Sequence, residues 1–130
     1  MSRKLVFFLI VGLLFLHACN ESGRELVVGT YTDESTIVYS GDTLTNELEI
    51  TRFLELIETS TLSEAQVTGL PDYVITVNNR SESTMEAMVN VWVLENEQML
   101  FTRGMEGTEV FQIDSMYTED INNILNMNTF

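Results

Sequence analysis

The chain has 130 residues and a mass of 14.8 kDa, with 6 basic against 20 acidic residues and one each of His, Cys, Pro and Trp. That leaves room for one small domain and excludes a two-domain enzyme. A formal charge of −14 argues against nucleic acid as a partner, and a single cysteine leaves no disulfide partner within the chain.

Residues 1–18 read as a lipoprotein signal peptide. Arg3 and Lys4 form a positive start, and residues 5–16 are apolar apart from Gly12. The run is shorter than the roughly 20 residues that a bilayer span requires. Leu16-His17-Ala18-Cys19 closes it and resembles the lipobox of bacterial lipoproteins, although His17 stands where a small or hydroxylated residue is usual. The resemblance implies cleavage between Ala18 and Cys19, lipid attachment on the Cys19 sulfur, and anchoring at the outer face of the cell membrane. The alternative is an ordinary secretory signal or a short uncleaved anchor with a cysteine there by chance. In a cell envelope with two membranes the same signal also permits an outer-membrane destination. Residues 19–25 are read as a short tether that keeps the domain near the membrane surface, and residues 26–130 as a single domain.

Removal of the signal leaves Arg24, Arg52, Arg80 and Arg103 as the only cations, with all 20 acids retained. No His or Lys would remain, and no Cys beyond Cys19.

Along the domain, residues 26–31 are β-branched and aromatic, residues 32–35 are turn formers, and residues 36–39 are β-rich again, which predicts a hairpin broken at Ser40-Gly41-Asp42. Asn46 with Glu49 forms a capping box. Leu48, Ile50, Phe53, Leu54 and Ile57 follow it, so the spacing predicts a helix over 47–59 with Glu47 and Glu49 at its positive end. A polar stretch, 59–69, leads to Leu70-Pro71-Asp72. Tyr73, Ile75 and Val77 then alternate with Val74, Thr76 and Asn78, and residues 79–83 turn. Ala87, Val89, Val91 and Val93 alternate with Met88, Asn90, Trp92 and Leu94, a strand apolar on both faces and therefore expected at the centre of the sheet. Shorter strands are predicted at 99–102 and 109–113, with turns at 95–98 and 104–107. Thr118 reads as the N-cap of a last helix whose buried stripe is Ile121, Ile124 and Leu125. The fold class is α+β, a mainly antiparallel sheet of about five to six strands packed with two helices around one core. About 100 ordered residues can bury such a core without metal or disulfide staples.

Pro71-Asp72-Tyr73 opening a strand, Val91-Trp92-Val93 in the next, Phe111 and Ile113, and Thr118 followed by Ile121, Ile124 and Leu125 resemble the YhfM-like extracytoplasmic proteins of Bacillus and its relatives. The resemblance implies an α+β lipoprotein of uncharacterised function with no catalytic residues to carry over. The charge departs from it: those proteins are often Lys-rich.

Chemistry follows from what is missing. Ser-His-Asp and Cys-His catalysis need an imidazole, Ser-Lys dyads and Schiff bases need a lysine, and zinc, copper and haem sites need His or Cys. No cofactor, metal ligand or catalytic residue is assigned. Carboxylates remain, and with them two alternatives: a divalent-cation or small-ligand site drawing on Asp33-Glu34 with Asp42, or on Glu119-Asp120 near Asp114, and after it a carboxylate-pair hydrolase. Neither set fits a calcium-loop motif, so these acids, like Glu47, Glu55 and Glu58 on the first helix, read first as solvated. Tyr31, Tyr39, Tyr73, Trp92, Phe101 and Phe111 read as core residues, with Trp92 the central anchor, and secondarily as the lining of a ligand groove. The acidity has two readings, a binding surface or adaptation to an external medium of high salt or pH. The leading expectation is a non-enzymatic accessory or binding lipoprotein, held to the membrane through Cys19, with an unidentified protein partner.

Overall fold

The computed structural model describes residues 23–126; the expected signal, Ala18 and Cys19 lie outside them. The architecture is α+β, with seven strands rather than five to six. These are β1 (Arg24–Asp33), β2 (Thr36–Leu44), β3 (Thr61–Leu62), β4 (Tyr73–Asn79), β5 (Thr84–Val93), β6 (Met99–Arg103) and β7 (Phe111–Gln112), with helices α1 (Glu47–Thr59) and α2 (Thr118–Asn126). The sheet order is β2-β1-β4-β5-β6-β7-β3, antiparallel throughout. β5 is the middle strand, as its two apolar faces predict.

Helix α1 has the predicted bounds. The Asn46 side chain accepts hydrogen bonds from the backbone of Leu48 (3.0 Å) and Glu49 (3.2 Å), which satisfies two of the first-turn N–H groups. Ile50, Phe53, Leu56 and Ile57 are buried. Leu48 is 69% exposed, because two residues before Ile50 is 200° around the helix from the buried stripe. α2 differs from expectation at its start. A 3-10 turn, Ser115–Tyr117, runs straight into it, Thr118 is already helical (φ −59, ψ −40), and Asp114 takes the capping role by accepting from the Met116 N–H at 3.2 Å.

Strand register divides the core from an open face. Leu26, Val28, Ile75, Val77, Val89, Val91, Met99, Phe101, Phe111 and Ile113 point to the side covered by Ile50, Phe53, Ile57, Ile121 and Leu125 of the helices. Phe101 and Phe111 stack with centroids 5.3 Å apart. Arg103 lies 4.2 Å over the Phe111 ring and donates to the Ile57 carbonyl at the end of α1.

The sheet extends further than its sequence signals. β2 is not broken at residues 40–42. Val27 pairs with Thr43 and Gly29 with Tyr39, so three residues bulge opposite Val28 and the strand resumes to Leu44. β1 begins at Arg24, inside the segment expected as tether. The Arg24 guanidinium binds Glu47 Oε2 (2.5 and 3.0 Å), Thr51 Oγ1 (2.9 Å) and Glu86 (3.4 Å), clasping β1 to α1 and β5. Its pKa is raised, first by the hydrogen bond to Glu47. Glu86 reaches this cluster because β5 bulges there, between the pairs Val77 with Ala87 and Asn78 with Met85.

Candidate functional site

Two regions present unusual surfaces. Of the six aromatic residues expected in the core, Phe101 and Phe111 are there and Tyr73 packs against it, whereas Tyr31, Tyr39 and Trp92 lie on the opposite sheet face. Trp92 faces away from the helices, opposite Leu100, and is half-buried, with its indole N–H donating to the Gly69 carbonyl at 3.4 Å. It is not the core anchor; Phe101, fully buried two strands from β4, holds that place. The reason is parity: Val89 and Val91 take the helix side of β5, which turns Asn90 and Trp92 outward. Trp92→Ala is therefore expected to cost roughly 1–2 kcal/mol rather than the amount for a core aromatic, measured by urea unfolding. A loss above roughly 3 kcal/mol would put the indole back among core residues.

The open face carries a polar network under aromatic cover. Tyr31 Oη donates to Asn90 Oδ1 (3.2 Å), and Asn90 Nδ2 donates to Thr102 Oγ1 (3.3 Å) and the Gly104 carbonyl (3.0 Å). Tyr39 Oη lies 3.4 Å from Thr76 Oγ1, one strand further over. Gly29 permits this reach: a Cβ there would stand 2.8 Å from Ile37 Cγ2 and 2.9 Å from the Tyr39 ring. Asn90 has both donors and an acceptor engaged, so the network is internally satisfied.

The second region is a groove between the helices, about 750 Å³ in volume. Its apolar lining comes from Phe53 and Leu56 of α1, Ile121 and Ile124 of α2, Tyr117 and Leu44. Three carboxylates, Glu49, Glu55 and Asp120, stand around it with one guanidinium, Arg52. Arg52, Glu55 and Thr59 share one stripe of α1, and the exposed Leu48 continues that stripe. The other described cations are engaged: Arg24 with Glu47 and Glu86, Arg80 with Glu25 at 2.9 Å, Arg103 with Phe111 and Ile57. Arg52 is exposed and forms no ion pair among the described residues. Sequence reasoning placed Glu55 on a solvated face and did not single out Glu49, Arg52 or Asp120 as one site. The available signal was a lone arginine inside an acidic helix.

The carboxylates considered for a cation lie apart: Glu119 and Asp120 are in the first turn of α2, and the others are in turns or a bulge. Asp33 accepts from the backbone N–H (2.8 Å) and hydroxyl (3.0 Å) of Ser35, and these bonds, the backbone one first, hold its pKa below the usual carboxylate range. Asp42 lies in the β2 bulge and Asp114 caps the 3-10 turn. Among the described residues no three His, Cys, Asp or Glu side chains converge as a metal-holding group, and no helix is long and apolar enough to cross a membrane. Compared with known proteins, the chain matches no family model, no curated protein and no solved structure.

Proposed function

We propose that the chain is a lipid-anchored extracytoplasmic protein of non-enzymatic, accessory type, which holds a ligand in the groove between α1 and α2. The groove carries the reading. It combines an apolar floor with charged walls from two helices, the composition of a binding cleft. The composition supports a binding rather than a catalytic role, since residues 20–130 contain no His, Lys or Cys to serve as base or nucleophile. The anchor rests on Leu16-His17-Ala18-Cys19 and on the resemblance to YhfM-like envelope proteins.

Cys19→Ala tests the anchor. The variant is expected to leave the membrane fraction for the soluble or secreted fraction with an unchanged melting temperature, because Cys19 precedes the first strand. Retention on membranes after high-salt and carbonate washing would show that another element holds the protein there.

A further inference from the structure

We infer that the groove between α1 and α2 takes a cationic amphipathic helix, supplied by a partner protein or peptide and laid alongside the two helices as a third. The inference rests on reading this groove as the ligand site and names the class of partner it admits.

Three observations converge on that occupant. The first is shape. Both helices contribute to the lining, and α1, at 13 residues, runs about 20 Å, which offers a partner helix of similar length a surface to lie along. The second is the apolar surface offered to it. Phe53, Leu56 and Ile121 form its buried floor, and the apolar surface within reach of a partner comes from the partly exposed Leu44 and Ile124 and from Tyr117 at 40% exposure, with Leu48, 69% exposed, on the same stripe of α1. Such a lining selects one apolar stripe on the incoming helix, with residues spaced three and four apart. The third is charge. Glu49 and Glu55 on one wall and Asp120 on the other outnumber Arg52, and the whole chain is at −14, so the local and the long-range fields both favour Lys and Arg flanking that stripe. Arg52, unpaired among the described residues and three residues from each of Glu49 and Glu55, is the one cation in the lining and opposes the Lys and Arg of the incoming helix.

The test uses the full chain in a non-ionic detergent and a fluorescent probe peptide of about 14 residues, roughly four helical turns, built of Leu and Lys at helical spacing. Fluorescence anisotropy measures its binding. Glu55→Lys and Asp120→Lys are each expected to weaken it on the order of tenfold, and Arg52→Glu to tighten it by a similar factor, since each reverses a charge beside the bound helix. Glu34→Lys, the same change in net charge at the β1–β2 turn, is expected to leave it unchanged. Circular dichroism of each variant checks that the helices persist.

Equal weakening by Glu34→Lys would overturn the inference, because the peptide would then be responding to net charge alone. Failure of the Leu–Lys peptide to bind, or equal binding by a Leu–Glu counterpart, would do the same. Binding that emerges only after removal of residues 127–130 would assign the groove to the chain's own C-terminus and also overturn it. None of these outcomes bears on the anchor, which the Cys19→Ala fractionation tests separately.

Discussion

Phe101→Ala is expected to destabilise the domain by about 3–5 kcal/mol, the largest loss among single truncations considered for this sheet. For a domain of this size that lowers the melting temperature by roughly 15–30 °C. The side chain is fully buried on β6, stacks on Phe111 and pairs across the sheet with Val91. Phe111 in turn supports Arg103, which binds the last turn of α1 through the Ile57 carbonyl. Loss of the Phe101 ring removes both its transfer free energy and one face of that stack. Neighbouring strands are hydrogen-bonded on both sides and cannot close the space. Urea unfolding should show a lower midpoint with an unchanged slope, the sign of lost native stability rather than an altered unfolded state. A loss below about 1 kcal/mol would mean that the core repacks around the gap.

The contrast with Trp92 shows what the sequence could and could not specify. Alternation in residues 87–94 identifies a strand and, since both faces are apolar, a central one. It does not say which face the helices cover. That choice is made by distant residues: Leu26 and Val28 on β1, Ile75 and Val77 on β4, and the register joining them to Val89 and Val91. Local signals with one physical cause were legible. The Asn46 cap and the 50, 53, 57 stripe fixed α1 without any tertiary partner. β3 is the opposite case. Thr61 and Leu62 sit in a polar stretch with no strand signal, and they pair because Gln112 and Phe111 lie at the exposed edge beside them. Ser40-Gly41-Asp42 favours a turn and so predicts a break, whereas the chain resumes pairing after the bulge. At the other end of α2, Asp114 competed with Thr118 for the cap and won by starting the helix one 3-10 turn earlier.

The groove was invisible for a different reason. Glu49 and Asp120 come together only when two helices far apart in the chain pack on one sheet face, and no spacing rule connects them. The charge balance was visible, but not its distribution. Three of the four described arginines tie elements together, Arg24 between β1, α1 and β5, Arg80 between the β4–β5 turn and Glu25, and Arg103 between β6 and α1. Arg52 is left for the groove. Most of the described acids therefore face solvent without an ion-pair partner among the described residues. This concentrates attraction for cationic partners wherever apolar surface is also exposed.

Asn90→Ala is expected to cost about 2–3 kcal/mol although it deletes no apolar contact of note. Asn90 is 94% buried by its 6% exposure and lies on the sheet face that no helix covers. Its amide supplies the Gly104 carbonyl with a donor at the point where β6 ends on a left-handed glycine, φ +74, and it also pairs the Thr102 hydroxyl. Truncation removes the amide donor from that carbonyl and that hydroxyl, and Asn90→Val would remove it equally. Tyr31→Phe isolates the outermost bond of the same network. Tyr31 as a residue is half-buried and its bond to Asn90 is partly buried, so the loss is expected near 0.5–1 kcal/mol, about the net value of one hydrogen bond. Urea unfolding of the three variants against wild type gives the comparison. If Asn90→Ala cost no more than Tyr31→Phe, water would be reaching the Gly104 carbonyl, and the open face would be a hydrated surface rather than a second, polar core. If the order is as expected, this face has its own internal structure, held by the Asn90 amide rather than by apolar packing.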